Sequence, residues 1–378
     1  MLKKMTIENF KSFKNETIID LSSSNYKILN KRNVNENEIL KGAIFVGGNA
    51  TGKTSIILAL RTLLDLLFRE KWISIGQYKC LFSEENIIKL TYEFKIDSDS
   101  IKYAIEFDVK KKILIEKLLL NEDLVLDRIG NSGKSQISEV TTFNDLDNSI
   151  LLLRTIYFNT KFYGNEILQK WFKFLSNSVY IDAATRTLIN SNSALEINKY
   201  LKENGDTLIN EFFKSNGFNY FIEYTDRCKG NLVEIDTEGE KKVFFKRNNI
   251  GEPIPVSMES LGNINLLSML PAFFHVVKEG GMLIIDEFSS AFHNELEELL
   301  VKYFMKNSLD SQIFLVSHST NLLSNTIFRP DQEYAVDFKG KEGSYINKFS
   351  NEKPREAQNI EKMYNSGCFG GMPEYVNE

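Results

Sequence analysis

The stretch VGGNATGKTS, residues 46–55, constrains this chain more than any other. It fits Gly-x-x-x-x-Gly-Lys-[Ser/Thr], with Gly47, Gly52, Lys53 and Thr54 at the fixed positions. That pattern carries meaning only between a strand and a helix. Upstream, ILKGAIFV (39–46) is a dense apolar run, as in a strand buried on both faces. Downstream, Ile56, Ile57, Leu60, Leu63, Leu64 and Leu67 recur at helical spacing. Successive backbone N–H groups in such a loop, through Asn49, Ala50, Thr51 and Gly52 to the helix start at Lys53, Thr54 and Ser55, form an anion nest. Lys53 is placed to reach a β- or γ-phosphate, and the Thr54 hydroxyl to ligate Mg²⁺. The expected ligand is ATP with Mg²⁺.

Two further strands carry polar residues at their ends. GGMLIIDE (280–287) delivers Asp286, which suits a water-mediated Mg²⁺ ligand, and Glu287, which suits polarising an attacking water. SQIFLVSHS (311–319) delivers His318, placed to hydrogen-bond a γ-phosphate, because open α/β sheets build their sites at the C-terminal strand ends. Between them NELEELLVKYFMK reads as an amphipathic helix. In ESLGNINLLSMLP (259–271), Ser260 and Gly262 open a helix, which by spacing alone is an ordinary N-cap. His275, in an apolar helical run, reads as structural.

Residues 87–128 alternate as strands of an antiparallel meander. The polar stretch 131–149 reads as a loop, residues 150–220 as mostly helical, and GNLVEIDTEGEKKVFFKRNN as a hairpin around Glu238-Gly239. The expected fold is α/β, a P-loop NTPase with a split core: a mixed sheet with flanking helices, an inserted β-meander and a helical lid region. The expected segments are 1–128 for the first half of the core, 129–250 for the insertion, 251–345 for the second half and 346–378 for a tail.

The net charge of -5 gives no basic field that would point to nucleic acid. Cys80, Cys228 and Cys368 are few, odd in number and widely spaced, which fits a reducing compartment, the cytoplasm. The opening MLKKMTIENF has no signal-peptide character, and no apolar run is long enough to span a bilayer.

Taken in order, these pieces resemble the ABC-type ATPase head shared by SMC, RecF and OLD-family proteins. IENFKSFKNETIIDL resembles the family's opening strand pair, with Lys11 where arginine is common, and Asn49 is typical of this branch's phosphate loop. ESLGN stands where the family carries its signature loop, with Asn263 departing from the usual glycine or threonine. DEFSSAFHN resembles the D-loop segment, with Ser289 and Asn294 departing and His293 matching. Within the class, the chain most resembles compact bacterial AAA-annotated ATPases of abortive-infection and phage-defence systems. Those end in a Lys-x-Tyr…Gly-x-Phe/Tyr-Gly-x-x-Pro tail, here EKMYNSGCFGGMP (361–373) with Cys368 where arginine is frequent.

The resemblance implies an ATP-dependent homodimer or higher oligomer, with Ser260 and Gly262 contacting the γ-phosphate held by the partner's Lys53. It implies a glutamine that links the metal to the lid, for which Gln77 is the candidate. It also implies a separately encoded effector such as a nuclease. Two other readings stand beside this switch ATPase: a RecF- or SMC-like DNA-maintenance ATPase that binds DNA, and a scaffold that holds nucleotide without hydrolysing it.

Overall fold

The computed structural model describes residues 1–69, 74–137, 139–190 and 195–372. The chain divides into two compact units, one of Met1–Ser191 with Val276–Glu378, the other of Asn192–His275.

The larger unit holds two sheets. The first is antiparallel, in the order β2-β1-β4-β5-β6-β7-β8-β9. Its strands are β1 (Leu2–Glu8), β2 (Thr17–Asp20), β4 (Ile87–Ile96), β5 (Asp99–Asp108), β6 (Ile113–Leu120), β7 (Asp123–Ile129), β8 (Ser132–Ser135) and β9 (Thr141–Phe143). In β4 every second residue is buried, Ile88, Leu90, Tyr92, Phe94 and Ile96, so one face meets the core. Phe94 and Tyr103 close on Trp171, which is fully buried.

The second sheet runs β11-β10-β17-β18-β3-β19-β20. Strands β10 (Val179–Asp182), β17 (Gly281–Asp286), β18 (Ser311–Val316), β3 (Gly42–Val46) and β19 (Glu333–Phe338) are parallel. Strands β11 (Thr187–Ile189) and β20 (Ser344–Lys348) add antiparallel edges. Every residue of β3, β17 and β18 is buried, because helices or the other sheet cover both faces of this layer. The helix Lys53–Phe68 packs on β17 and β18, and its buried Ile56, Ile57, Leu60, Leu63 and Leu67 join the core that both sheets share. The parallel order sends the C-terminal ends of β3, β17 and β18 to one edge, where ligands of open α/β sheets bind.

The smaller unit has a three-stranded sheet, β12 (Tyr220–Thr225), β15 (Lys242–Arg247) and β16 (Ile254–Pro255), and a ribbon of β13 (Arg227–Lys229) and β14 (Glu234–Asp236). Helices Ile197–Asn204 and Thr207–Ser215 accompany them. Phe212, Phe213, Tyr220, Ile222 and Phe245 are its buried centre. The helix Leu261–Glu279, with Pro271 and His275 inside it, belongs to this unit as far as His275.

Four expectations change. The insertion is Asn192–His275 rather than 129–250, because β8 to β10 extend sheets of the larger unit. The polar stretch 131–149 is the outer edge of the meander, with Ser138 outside the described residues. The expected helix through Val179 stops at Ser176, and Val179-Tyr180-Ile181 becomes a buried strand beside β17, which suits its bulky, branched side chains. Glu238 and Gly239 do turn the chain, both at positive φ, yet β14 pairs with β13 and β15 with β12, so no hairpin forms across that turn.

Candidate nucleotide site

The phosphate loop leaves β3 at Val46 and enters its helix at Lys53. Its shape depends on glycine at Gly52. There φ is 109°, and a Cβ would stand 2.4 Å from Ser344 Oγ and 2.5 Å from Ser12 Oγ. Ser344 and Ser12 brace the loop from outside: Ser344 Oγ donates to the Thr51 carbonyl at 2.5 Å, and Ser12 Oγ to Ser55 Oγ at 3.3 Å. Thr51 Oγ1 donates to the Gly48 carbonyl, Ala50 is at positive φ, and Asn49 and Ala50 are exposed. Lys53 is buried, and its Nζ donates to the carbonyls of Gly47 at 3.0 Å and Gly48 at 2.6 Å. Burial lowers its pKa, opposed by the charges of Glu287 and Asp286.

Asp286 closes the next side. Thr54 Oγ1 donates to its Oδ1 at 3.2 Å, and Tyr180 Oη to its Oδ2 at 3.3 Å. Burial first, then the neighbouring Glu287, push its carboxyl up to about 6. Glu287 follows with φ 52°, a left-handed turn that swings its side chain out of the strand direction. Its Oε2 lies 3.6 Å from His318 Nε2. Burial and Lys53 lower the pKa of His318 against the opposing pull of Glu287. The His318 backbone N–H is held by Ser289 Oγ at 3.0 Å.

Lys53, Thr54, Asp286, Glu287 and His318 therefore converge at one edge of the parallel sheet. The donor set fits a triphosphate with a hard divalent cation. The hydroxyl of Thr54 and the carboxylate of Asp286 already meet where oxygen ligands are needed, and a buried ammonium sits in a loop that tolerates no extra Cβ at Gly52.

Gln77 sits exposed in the short turn Ile75–Tyr78, whose Tyr78 carbonyl accepts the Lys11 N–H at 2.6 Å. Lys11 places its Nζ 4.7 Å over the Tyr78 ring. Ser260 is in the smaller unit, at the N-cap of the 19-residue helix Leu261–Glu279, where its Oγ accepts from the Asn263 N–H. Gly262 lies in the first turn. Asn263 uses its side chain locally, donating to Glu259 and accepting from the Tyr220 hydroxyl. Glu259 in turn pairs with Arg247 at 2.8 Å.

Tyr180 and Ser344 support the site without any sequence signal, because each reaches it through strand pairing or loop packing, whereas Ser12 lies in the opening stretch IENFKSF. Among the described residues no helix is long and apolar enough to cross a membrane, and the three cysteines are free, Cys80 and Cys228 buried and Cys368 exposed.

No curated protein sequence matches the chain. Solved structures do. The SMC head domain from Thermotoga maritima superposes with a TM-score of 0.50 and 15% identity over 91% of this chain and 97% of that one. An SMC head bound to the C-terminal winged-helix domain of ScpA gives 0.51 and 13% over 91% and 96%. At these identities the likeness is one of fold: the chain shares the fold of SMC head domains. A family model covers residues 43–324, from the phosphate-loop strand past the histidine loop, and by that match the chain belongs to the family described as "AAA domain, putative AbiEii toxin, Type IV TA system".

Proposed function

We propose that this chain is a slow, regulated ATPase switch that binds ATP and Mg²⁺, assembles through nucleotide held between copies, and controls a separately encoded effector in antiphage defence. The observation that carries the reading is the convergence of Lys53, Thr54, Asp286, Glu287 and His318 at one sheet edge. The bound nucleotide supplies the scissile phosphoanhydride, and Mg²⁺ supplies charge neutralisation on its phosphates. The chain supplies the rest. Lys53 gives up the carbonyls of Gly47 and Gly48 to hold phosphate oxygens, and Thr54 and Asp286 hold the metal. Glu287 takes a proton from the attacking water, and His318, 3.6 Å from it, fixes the carboxylate and reads the γ-phosphate position.

Ser260 and Gly262, at the exposed start of a long helix, suit an anion presented by a second copy. ATP then favours the assembled state only through contacts made in that state. The solved head bound to ScpA is a protein that engages a protein partner, which supports a partner of that general kind here; an effector nuclease is the one we favour.

The test is light scattering of the wild type and Glu287→Gln with and without Mg-ATP. The variant should bind ATP, hydrolyse it about 100-fold more slowly and persist as a larger assembly. Unchanged mass despite bound nucleotide would remove the between-copy site at Ser260. Tight DNA binding with a steep salt dependence would favour the DNA-maintenance reading instead.

A further inference from the structure

The tail that resembles a family motif, residues 361–373, has no role in the chemistry above. Its described part, to residue 372, lies against the nucleotide site at two points; Pro373 is outside the described residues. At one point the Gly371 carbonyl accepts the Gly48 N–H of the phosphate loop at 2.9 Å. At the other, Glu361 Oε1 accepts the Thr320 hydroxyl at 2.7 Å, two residues beyond His318.

Between these contacts the segment is firmly anchored. Asn359 caps the helix Ile360–Asn365. Ile360, Tyr364 and Phe369 are buried, and Phe369 stacks on Phe349 with ring centroids 3.9 Å apart. The Tyr364 hydroxyl donates to the Gly371 carbonyl, and the Gly371 N–H donates to Asp337 at the end of β19. Gly371 sits at φ 73°, where a Cβ would come within 3.2 Å of Ala335 and Val336, so the close approach needs glycine.

We propose that residues 359–371 are a strap that ties the phosphate loop to the histidine loop, with Glu361 and Gly371 as its positioning residues. The histidine loop is held from its other side by Ser289, by Ser319 Oγ donating to Glu297, and by Asn321 donating to the Asn294 carbonyl. Glu361 is the contact from the tail side. Removing it frees the loop that aims His318 at Glu287 while leaving the phosphate cradle intact. Its loss therefore lowers turnover and spares nucleotide affinity. Loss of the Gly371 contact acts on the phosphate loop and weakens affinity.

This inference rests on the ATPase reading, and its test separates the two. Hydrogen exchange across residues 317–323, affinity for a fluorescent ATP analogue and phosphate release are measured for wild type, Glu361→Ala, Glu361→Gln and Gly371→Ala. In Glu361→Ala, exchange should rise and turnover fall, each about 10-fold, with affinity within about 2-fold of wild type. Glu361→Gln should recover both, because its amide oxygen still accepts from Thr320. Gly371→Ala should weaken analogue binding about 10-fold. Wild-type exchange and turnover in Glu361→Ala, or a Gln variant as impaired as the Ala variant, would overturn the strap. A wild type that neither binds the analogue nor releases phosphate would overturn the ATPase reading alone, and the exchange data would still decide the strap.

Discussion

At the scale of single residues, two buried groups outside the nucleotide contacts make the sharpest predictions. Tyr180 donates to Asp286 from the neighbouring strand, and the Arg61 guanidinium lies 4.7 Å over its ring. Tyr180→Phe keeps the ring and drops the hydroxyl. We expect the Mg²⁺ concentration for half-maximal turnover to rise about 10-fold, as for other groups that orient a metal ligand, with metal-free nucleotide binding unchanged in calorimetry. Glu297 is fully buried, and its Oε2 has no partner among the described residues. Burial pushes its carboxyl from 4.5 up to about 7. The folded state therefore holds a proton that the unfolded state has released, and stability falls as pH rises from about 4.5 to about 7. Glu297→Gln removes that penalty. It should match the wild type near pH 4.5 and be more stable by about 1–3 kcal/mol at pH 8 in denaturant titrations.

Among elements, the phosphate loop shows what a sequence makes legible. Its glycines, Lys53 and Thr54 stand in one short stretch, so the pattern and its flanking strand and helix can be read locally. Gly52→Ala tests the brace beyond that pattern. The added methyl meets Ser344 and Ser12 at a positive φ, and we expect about 2–4 kcal/mol lower stability in nucleotide-free melts. Strands β17 and β18 were equally legible, as apolar runs, the first ending in Asp286 and the second stopping at Val316, two residues before His318. Val179–Asp182 was not, because its short apolar run continues a helical pattern and only pairing with β17 makes it a strand. The partners Tyr180, Ser344 and Glu361 reach the site across long sequence separations, where no spacing rule operates. The polar segment at β8 and β9 misled for a related reason. Edge strands of a meander bury little, so composition cannot tell them from loop.

On the scale of the whole molecule, β3 gathers the nucleotide site from both ends of the chain. Its neighbours are β18 and β19, and the buried Gln312 side chain bonds the backbone of Leu2 and Leu40. A chain cut after residue 330 would keep the whole phosphate loop and lose β19, the brace at Ser344 and the tail. We expect such a chain to bind no ATP analogue and to melt without a cooperative transition. The same strand order has a consequence during synthesis. The stretch around Lys53 emerges early, yet β3 stays without either sheet neighbour until β18 and β19 leave the ribosome, roughly 15–60 s later at ~5–20 residues per second. On the proposed reading, nascent and prematurely terminated chains would bind no nucleotide, and the site would become competent only once β19 has been translated.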